Sequence, residues 1–247
     1  MAKILVSGSV AYDRIMEYPG YFRDSLVADK LDDISVSFTV DKLSEGFGGT
    51  AGNIAYNLAL LGEQPEILST AGNDFEEYKK WLIRSGVETR SIAIAKELRT
   101  AGAFVVTDKE ENQITIFHPG AMAREWSGEI PDTEHSHILK NVKAELAIVS
   151  AGNIADMVRL PKEFRTRGVP YFFDVGQAIS VLSGDDLQDA IPGASMLLGN
   201  EYEMELTMQK SSWDIKRLLE EVPVIVTTRG VEGSRITTRD GEINVKA

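Results

Sequence analysis

Four stretches of the chain carry residue types that could do chemistry. Asp13 stands just past the apolar run KILVSG at 3–8. A carboxylate there can accept two hydrogen bonds from neighbouring hydroxyls of a sugar, or it can stabilise a turn through its own backbone. Residues 46–52 hold Gly46, Gly48, Gly49 and Gly52. Such a cluster marks main chain that passes close to something, or a tight loop needed for packing. Asn200 and Glu203, in GNEYE, lie one turn apart near a helix start. An amide and a carboxylate there can hold a hydrated Mg²⁺ and a phosphate, or Asn200 can cap the helix with Glu203 in solvent. TRGVEG at 228–233 follows VIVT, and Gly230 and Gly233 would let backbone approach a nucleotide. Asp174 also ends an apolar run, with no sequence neighbour to give it a role.

The elements that must position these residues follow from periodicity. KILVSG, EILST (66–70), LAIVS (146–150), YFFDV (171–175), MLLG (196–199) and VIVTT (224–228) predict buried strands. Helices are predicted over Asp74 to Arg84, with Asp74 as cap, and over 154–167, 200–208 and 213–221. Strands alternating with helices predict an α/β fold with a parallel, doubly wound sheet, and ligands in such sheets sit at the carboxyl ends of strands. The run from Ile54 to Leu61 predicts a helix apolar on nearly every side and therefore buried, its glycine-rich first turn presenting free N–H groups and a positive dipole end. ISVSFTV at 34–40 alternates as an antiparallel strand with one wet face. GAFVVT (102–107) and QITIF (113–117), joined by DKEEN, predict a hairpin. These segments interrupt the strand–helix order and are expected to form a small projecting sheet, as a lid over a site, a dimer-forming surface, or both.

The 247 residues suit one large α/β domain or two small ones. A net charge of −12 argues against a nucleic-acid partner, because phosphate backbones are neutralised by Lys and Arg. Zero cysteines exclude disulfides and thiolate chemistry and suit a reducing compartment. The apolar start is too short for a signal peptide or membrane span, so a cytoplasmic protein without membrane partners is expected. His135 and His137 are two apart and would diverge on a helix, which argues against a metal hydrolase.

In order along the chain, GSVAYD (8–13), GGTAGN (48–53), GND (72–74), GNEYE (199–203) and TRGVEG (228–233) resemble the motifs of the ribokinase-like, PfkB-type sugar and nucleoside kinases. The likeness runs from the first strand to the end of the chain. It implies one Rossmann-like α/β domain over 1–247 with a small β lid inserted at about 14–46 and 99–120. It implies an ATP- and Mg²⁺-dependent transfer to a primary hydroxyl of a nucleoside or a sugar such as ribose or fructose. Asp13 and Asn53 would then bind substrate hydroxyls with the Gly48–Gly49 backbone alongside. Asn200 and Glu203 would organise Mg²⁺ and phosphates, and Thr228 to Gly233 would line the ATP site. QITIFHPGAMA (113–123) looks most like the adenosine-kinase side of the family, making Phe104 and Phe117 candidates to stack on a base. A homodimer through the lid sheet is also expected.

The sequence departs from the family in three respects: Ala11 stands where many sugar kinases carry a polar residue, Arg229 inside the nucleotide turn is less usual, and the glycine-rich stretch GAGD, which supplies the catalytic Asp and an anion hole, does not occur. No catalytic residue is therefore assigned. The expectation is a C-terminally incomplete domain whose catalytic base would lie beyond Ala247, and a chain that binds substrate but turns over very slowly, or a non-catalytic binding fragment. A dinucleotide-dependent oxidoreductase is the rival of another class, since Gly46, Gly48 and Ala51 fit G-x-G-x-x-A with Asp74 near ribose-contact distance. It is disfavoured because that fingerprint should directly follow the first buried strand.

Overall fold

The structure is a computed structural model that describes residues 3–26, 35–128 and 144–247. Its strands are β1 (Lys3–Ser7), β2 (Ala11–Glu17), β3 (Lys42–Gly48), β4 (Gln64–Gly72), β5 (Ile92–Ala95), β6 (Ala101–Thr107), β7 (Gln113–His118), β8 (Leu146–Val149), β9 (Tyr171–Asp174), β10 (Met196–Asn200), β11 (Ile225–Thr228), β12 (Ser234–Thr238) and β13 (Gly241–Val245). Its helices are α1 (Phe22–Ser25), α2 (Thr50–Leu60), α3 (Glu76–Arg84), α4 (Ile154–Arg167), α5 (Gly184–Ala190), α6 (Glu201–Ser211) and α7 (Ile215–Glu221).

Nine strands form one sheet in the order β13-β12-β11-β10-β9-β8-β1-β4-β5. From β5 to β11 every pairing is parallel, and β12 and β13 add an antiparallel edge. Every residue of β1 is buried because helices cover both faces. Leu5, with Leu68, Ala147 and Phe173, belongs to the layer holding Met157, Leu160 and Phe164 of α4. Ile4 and Val6, with Ile67, belong to the layer holding Ala51, Ala55, Tyr78 and Leu82 of α2 and α3. Truncating one fully buried member such as Leu160 to Ala costs about 2–5 kcal/mol. The parallel arrangement brings the carboxyl ends of β1, β4, β8, β9, β10 and β11 to a single edge. The second sheet is small, in the order β3-β2-β6-β7, and springs from that edge: β1 runs into β2 through Gly8 to Val10, and β3 runs into α2 through Gly49.

Three expectations are corrected. Residues 35–40 form no strand; the small sheet takes its edge from β3, two residues further on, and Ile34 lies outside the described residues. Helix α2 is buried on one side only, through Ala51, Gly52 and Ala55, while Leu60 and Leu61 at its end are 66% and 79% exposed. Asp74 caps no helix, because Thr100 N–H and the Arg99 guanidinium take its carboxylate instead. The histidines at 135 and 137 lie outside the described residues. No described helix is long and apolar enough to cross a membrane.

Candidate active site

The small sheet places Asp13 over the glycines by register. Asp13 pairs with Gly46 on β3 and with Ala103 on β6, and Ala103 pairs with Phe117 on β7. Directly paired residues share a face, so Gly46, Asp13, Ala103 and Phe117 form one row. Gly48 is on the same face, and a Cβ added there would lie 2.1 Å from Asp13 Oδ2. Only glycine admits this contact. Burial pushes the Asp13 carboxyl above its ordinary range. Gly49 follows at φ +86°, and a Cβ there would lie 2.6 Å from the Ser9 carbonyl. Asn53 is exposed on the first turn of α2, its N–H donating to Gly49 O.

The start of α2 is not a free cluster of donors. Thr50 N–H donates to Ser9 Oγ, and the N–H groups of Ala51 and Gly52 donate to Ser9 O. The Thr50 hydroxyl donates to Ala151 O at 2.6 Å and accepts from Ser9 N–H and Ser150 Oγ. This half-buried hub ties the ends of β1 and β8 to α2. The partners of Thr50 lie 41 to 101 residues from it in sequence, so local pattern does not announce the hub.

Beside the hub lies a largely apolar cleft of about 490 Å³, bounded by Thr115 and Phe117 from the small sheet and by Ser9, Gly152, Ile154 and Val181 from the main edge. Phe117 therefore faces the cleft. Phe104 does not: it pairs with Ile116 rather than Phe117, on the opposite face, with the Arg14 guanidinium carbon 5.1 Å from its ring centre. Successive strand residues alternate faces, so the two rings cannot flank one base, and Phe104 is withdrawn as a stacking candidate.

Further along the same edge, Asn200 and Thr228 are register partners at the ends of β10 and β11. Asn200 caps α6: its Oδ1 accepts from Glu203 N–H at 2.9 Å, and Glu203 Oε2 accepts from Asn200 N–H at 2.7 Å. Both side chains are thus occupied with the helix start. Arg229, in the turn after β11, is ion-paired with Glu201 and Glu232. Gly230 at φ +54° has open space beside it, whereas a Cβ on Gly233 would lie 2.0 Å from Val245 O. Packing against β13 therefore suffices to explain Gly233. Asp174, at the end of β9, is pushed up to about 6 by burial and then by the Glu203 charge. The structure so brings together two carboxylates that are 29 positions apart in the sequence.

The motif GND also resolves into local geometry. A Cβ on Gly72 would lie 2.2 Å from Thr100 N, and the Asp74 carbonyl accepts the Tyr12 hydroxyl at 2.7 Å. These contacts fix the roots of β2 and β6, the strands that carry Asp13 and Ala103.

Residues 1–247 match the pfkB family carbohydrate kinases. A nucleoside kinase of Methanothermobacter thermautotrophicus is 30% identical over 240 residues, covering 96% of this chain and 72% of that protein. The solved structure of Burkholderia thailandensis nucleoside kinase in complex with inosine is 33% identical, covers 99% of this chain and 75% of that one, and has a TM-score of 0.82. That of Methanocaldococcus jannaschii nucleoside kinase, an archaeal member of the ribokinase family, is 26% identical, with a TM-score of 0.85 over 100% of this chain and 77% of its own. The motif order, the doubly wound sheet with its small companion, and these likenesses lead to one conclusion: the chain belongs to the pfkB family of carbohydrate kinases.

Proposed function

We propose that this kinase transfers the γ-phosphoryl group of ATP to a primary hydroxyl of a nucleoside. The observation that carries the reading is the row Gly46–Asp13–Ala103–Phe117, which sets a carboxylate and an aromatic ring on one face of the small sheet. Asp13, with the Gly48–Gly49 main chain and Asn53, is suited to the sugar hydroxyls. Phe117 and the apolar walls of the cleft are suited to a flat base, and this favours a nucleoside over a bare ribose or fructose. Inosine in the Burkholderia protein is consistent with that choice.

Asn200, Thr228 and Gly230 would lie along the triphosphate. No group of three or more His, Asp or Glu among the described residues could hold a metal ion alone. Mg²⁺ keeps several waters and is bound by one or two carboxylates plus phosphates, and that modest requirement fits Glu203 with Asp174 near it. When bound, it would neutralise charge on the phosphate oxygens. Phosphoryl transfer depends mostly on positioning and charge neutralisation. The small sheet would act as a lid, excluding water that competes as acceptor. ATP as donor suits a cytoplasmic location.

The chain spans about three quarters of the length of its nucleoside-kinase relatives, and GAGD does not occur in it. We assign no base within these residues. Leu43 and Ile116 are 66% and 67% exposed on the outer face of the small sheet, where a homodimer would form.

Calorimetric titration with inosine, adenosine, ribose and fructose tests the reading. Inosine or adenosine should bind, and the free sugars should not. Ribose binding as tightly as inosine would replace the nucleoside with a sugar, and binding of none would remove the assignment.

A further inference from the structure

We infer that Tyr78 on α3 is a positioning residue of the sugar subsite, holding the Gly48–Gly49 peptide in place against Asp13. This rests on the nucleoside-kinase reading above and extends it to a residue that belongs to none of the motifs.

Tyr78 is fully buried, and its hydroxyl donates to Gly48 O at 2.7 Å. Its ring stacks on Phe47 with centroids 4.5 Å apart and lies against Tyr12 at 5.9 Å. The ring is thus clamped by the residues just before Gly48 and Asp13. Gly48 itself lies between Tyr78, which takes its carbonyl, and Asp13, whose carboxylate occupies the space a side chain would fill. In a trans peptide the carbonyl and the following N–H point in opposite directions. Anchoring Gly48 O on Tyr78 therefore fixes the plane of the whole peptide, including the Gly49 N–H. Gly52 supplies the room: a Cβ there would lie 1.9 Å from the Tyr78 hydroxyl oxygen. Two glycines of the motif are thus explained by two partners, Gly48 by Asp13 and Gly52 by Tyr78. Burial, and then the Asp13 charge, raise the Tyr78 hydroxyl's pKa, so it stays protonated and keeps donating across the working pH range.

A second buried tyrosine provides the control. Tyr171 is equally buried and its hydroxyl donates to Ala190 O and Pro192 O, both at 2.8 Å, far along the sheet from the glycines. The experiment measures inosine and ATP affinities by calorimetry, and thermal midpoints, for wild type, Tyr78→Phe, Gly52→Ala and Tyr171→Phe. Tyr78→Phe should weaken inosine about five- to tenfold, the equivalent of one hydrogen bond, with ATP affinity within about twofold of wild type. Gly52→Ala keeps the hydroxyl but displaces it, and should produce the same selective loss. Tyr171→Phe should lower the midpoint and leave inosine affinity unchanged. Wild-type inosine affinity in both Tyr78→Phe and Gly52→Ala would overturn the inference, as would equal losses for inosine and ATP, which mark a general structural role. Failure of wild type itself to bind any nucleoside would overturn the nucleoside reading and this inference with it. Normal wild-type binding with unaffected variants would overturn this inference alone.

Discussion

The proposed acceptor end and the proposed nucleotide end share one sheet edge but hold their polar residues in different ways. At the acceptor end, Asp13 rests on Gly48, the Gly48 carbonyl is held by a buried tyrosine, and Thr50 locks β1, α2 and β8 together. At the nucleotide end, Asn200 and Glu203 bond to each other across a helix start, and Arg229 is paired with surface carboxylates. The first set is fixed by packing before any ligand arrives. The second consists of partners in or near solvent, which a triphosphate would have to share or displace. Under the proposed function, this organisation would make the acceptor subsite preformed and the nucleotide subsite one completed on binding, because ordering costs fall where groups are already held.

The contrast is most exposed to refutation at Gly48. Gly48→Ala puts a methyl 2.1 Å from Asp13 Oδ2, so the carboxylate or the main chain must move, and nucleoside affinity should fall at least about 100-fold in a calorimetric titration. An alanine variant with wild-type affinity would show that the acceptor end is not preformed.

Asp13→Asn keeps the shape and removes the charge. Loss of charge-assisted bonds to hydroxyls should weaken nucleoside binding by about 10- to 100-fold. Because burial already disfavours the Asp13 carboxylate, the variant should melt no lower than wild type. A lower melting midpoint would mean that Asp13 serves stability.

Asp174→Asn sharpens the comparison through pH. The folded Asp174 carboxyl is pushed up to about 6, whereas an unfolded aspartate titrates near ~3.9. Between those values the folded chain holds a proton that the unfolded chain has released, so stability falls as pH rises through the window and stays lower above it. The asparagine variant should gain up to about 3 kcal/mol at pH 7, with the gain vanishing below about pH 4. Denaturant melts at pH 4 and pH 7 measure it, and a pH-independent difference would contradict it.

Arg229→Ala should do least. Its guanidinium bonds carboxylates at the surface, where ion pairs contribute little. The thermal midpoint should stay at the wild-type value in high salt, and a large drop would show the nucleotide turn to be as rigid as the acceptor end.

What could be read ahead of the structure followed from local physics. Helix α4 spans the predicted 154–167, with Asn153 as N-cap and Gly168 in the left-handed region as C-cap. The parallel strands showed as short apolar runs because both faces are buried. The failures share a cause, which is competition between distant residues for one group. Asp74 has the sequence setting of a helix cap, yet Thr100 and Arg99 claim its carboxylate. Residues 35–40 alternate in exposure without pairing to a neighbouring strand. Phe104 and Phe117 both belong to β-rich runs, and only the register of β6 on β7 shows that they face opposite ways. Tyr78 carries no signal in its own neighbourhood, because its partner lies 30 residues away, and although Thr50 is part of GGTAGN, its bond to Ala151 spans 101 residues.

The central claim is that a nucleoside sits between the small sheet and the carboxyl edge of the main sheet, with its sugar on Asp13. A crystal structure of the chain with inosine tests it most directly. The account predicts the base in the cleft against Phe117 and ribose hydroxyls within hydrogen-bond distance of the Asp13 carboxylate. Inosine bound with its ribose away from Asp13, or on the outer face beside Phe104, would contradict it.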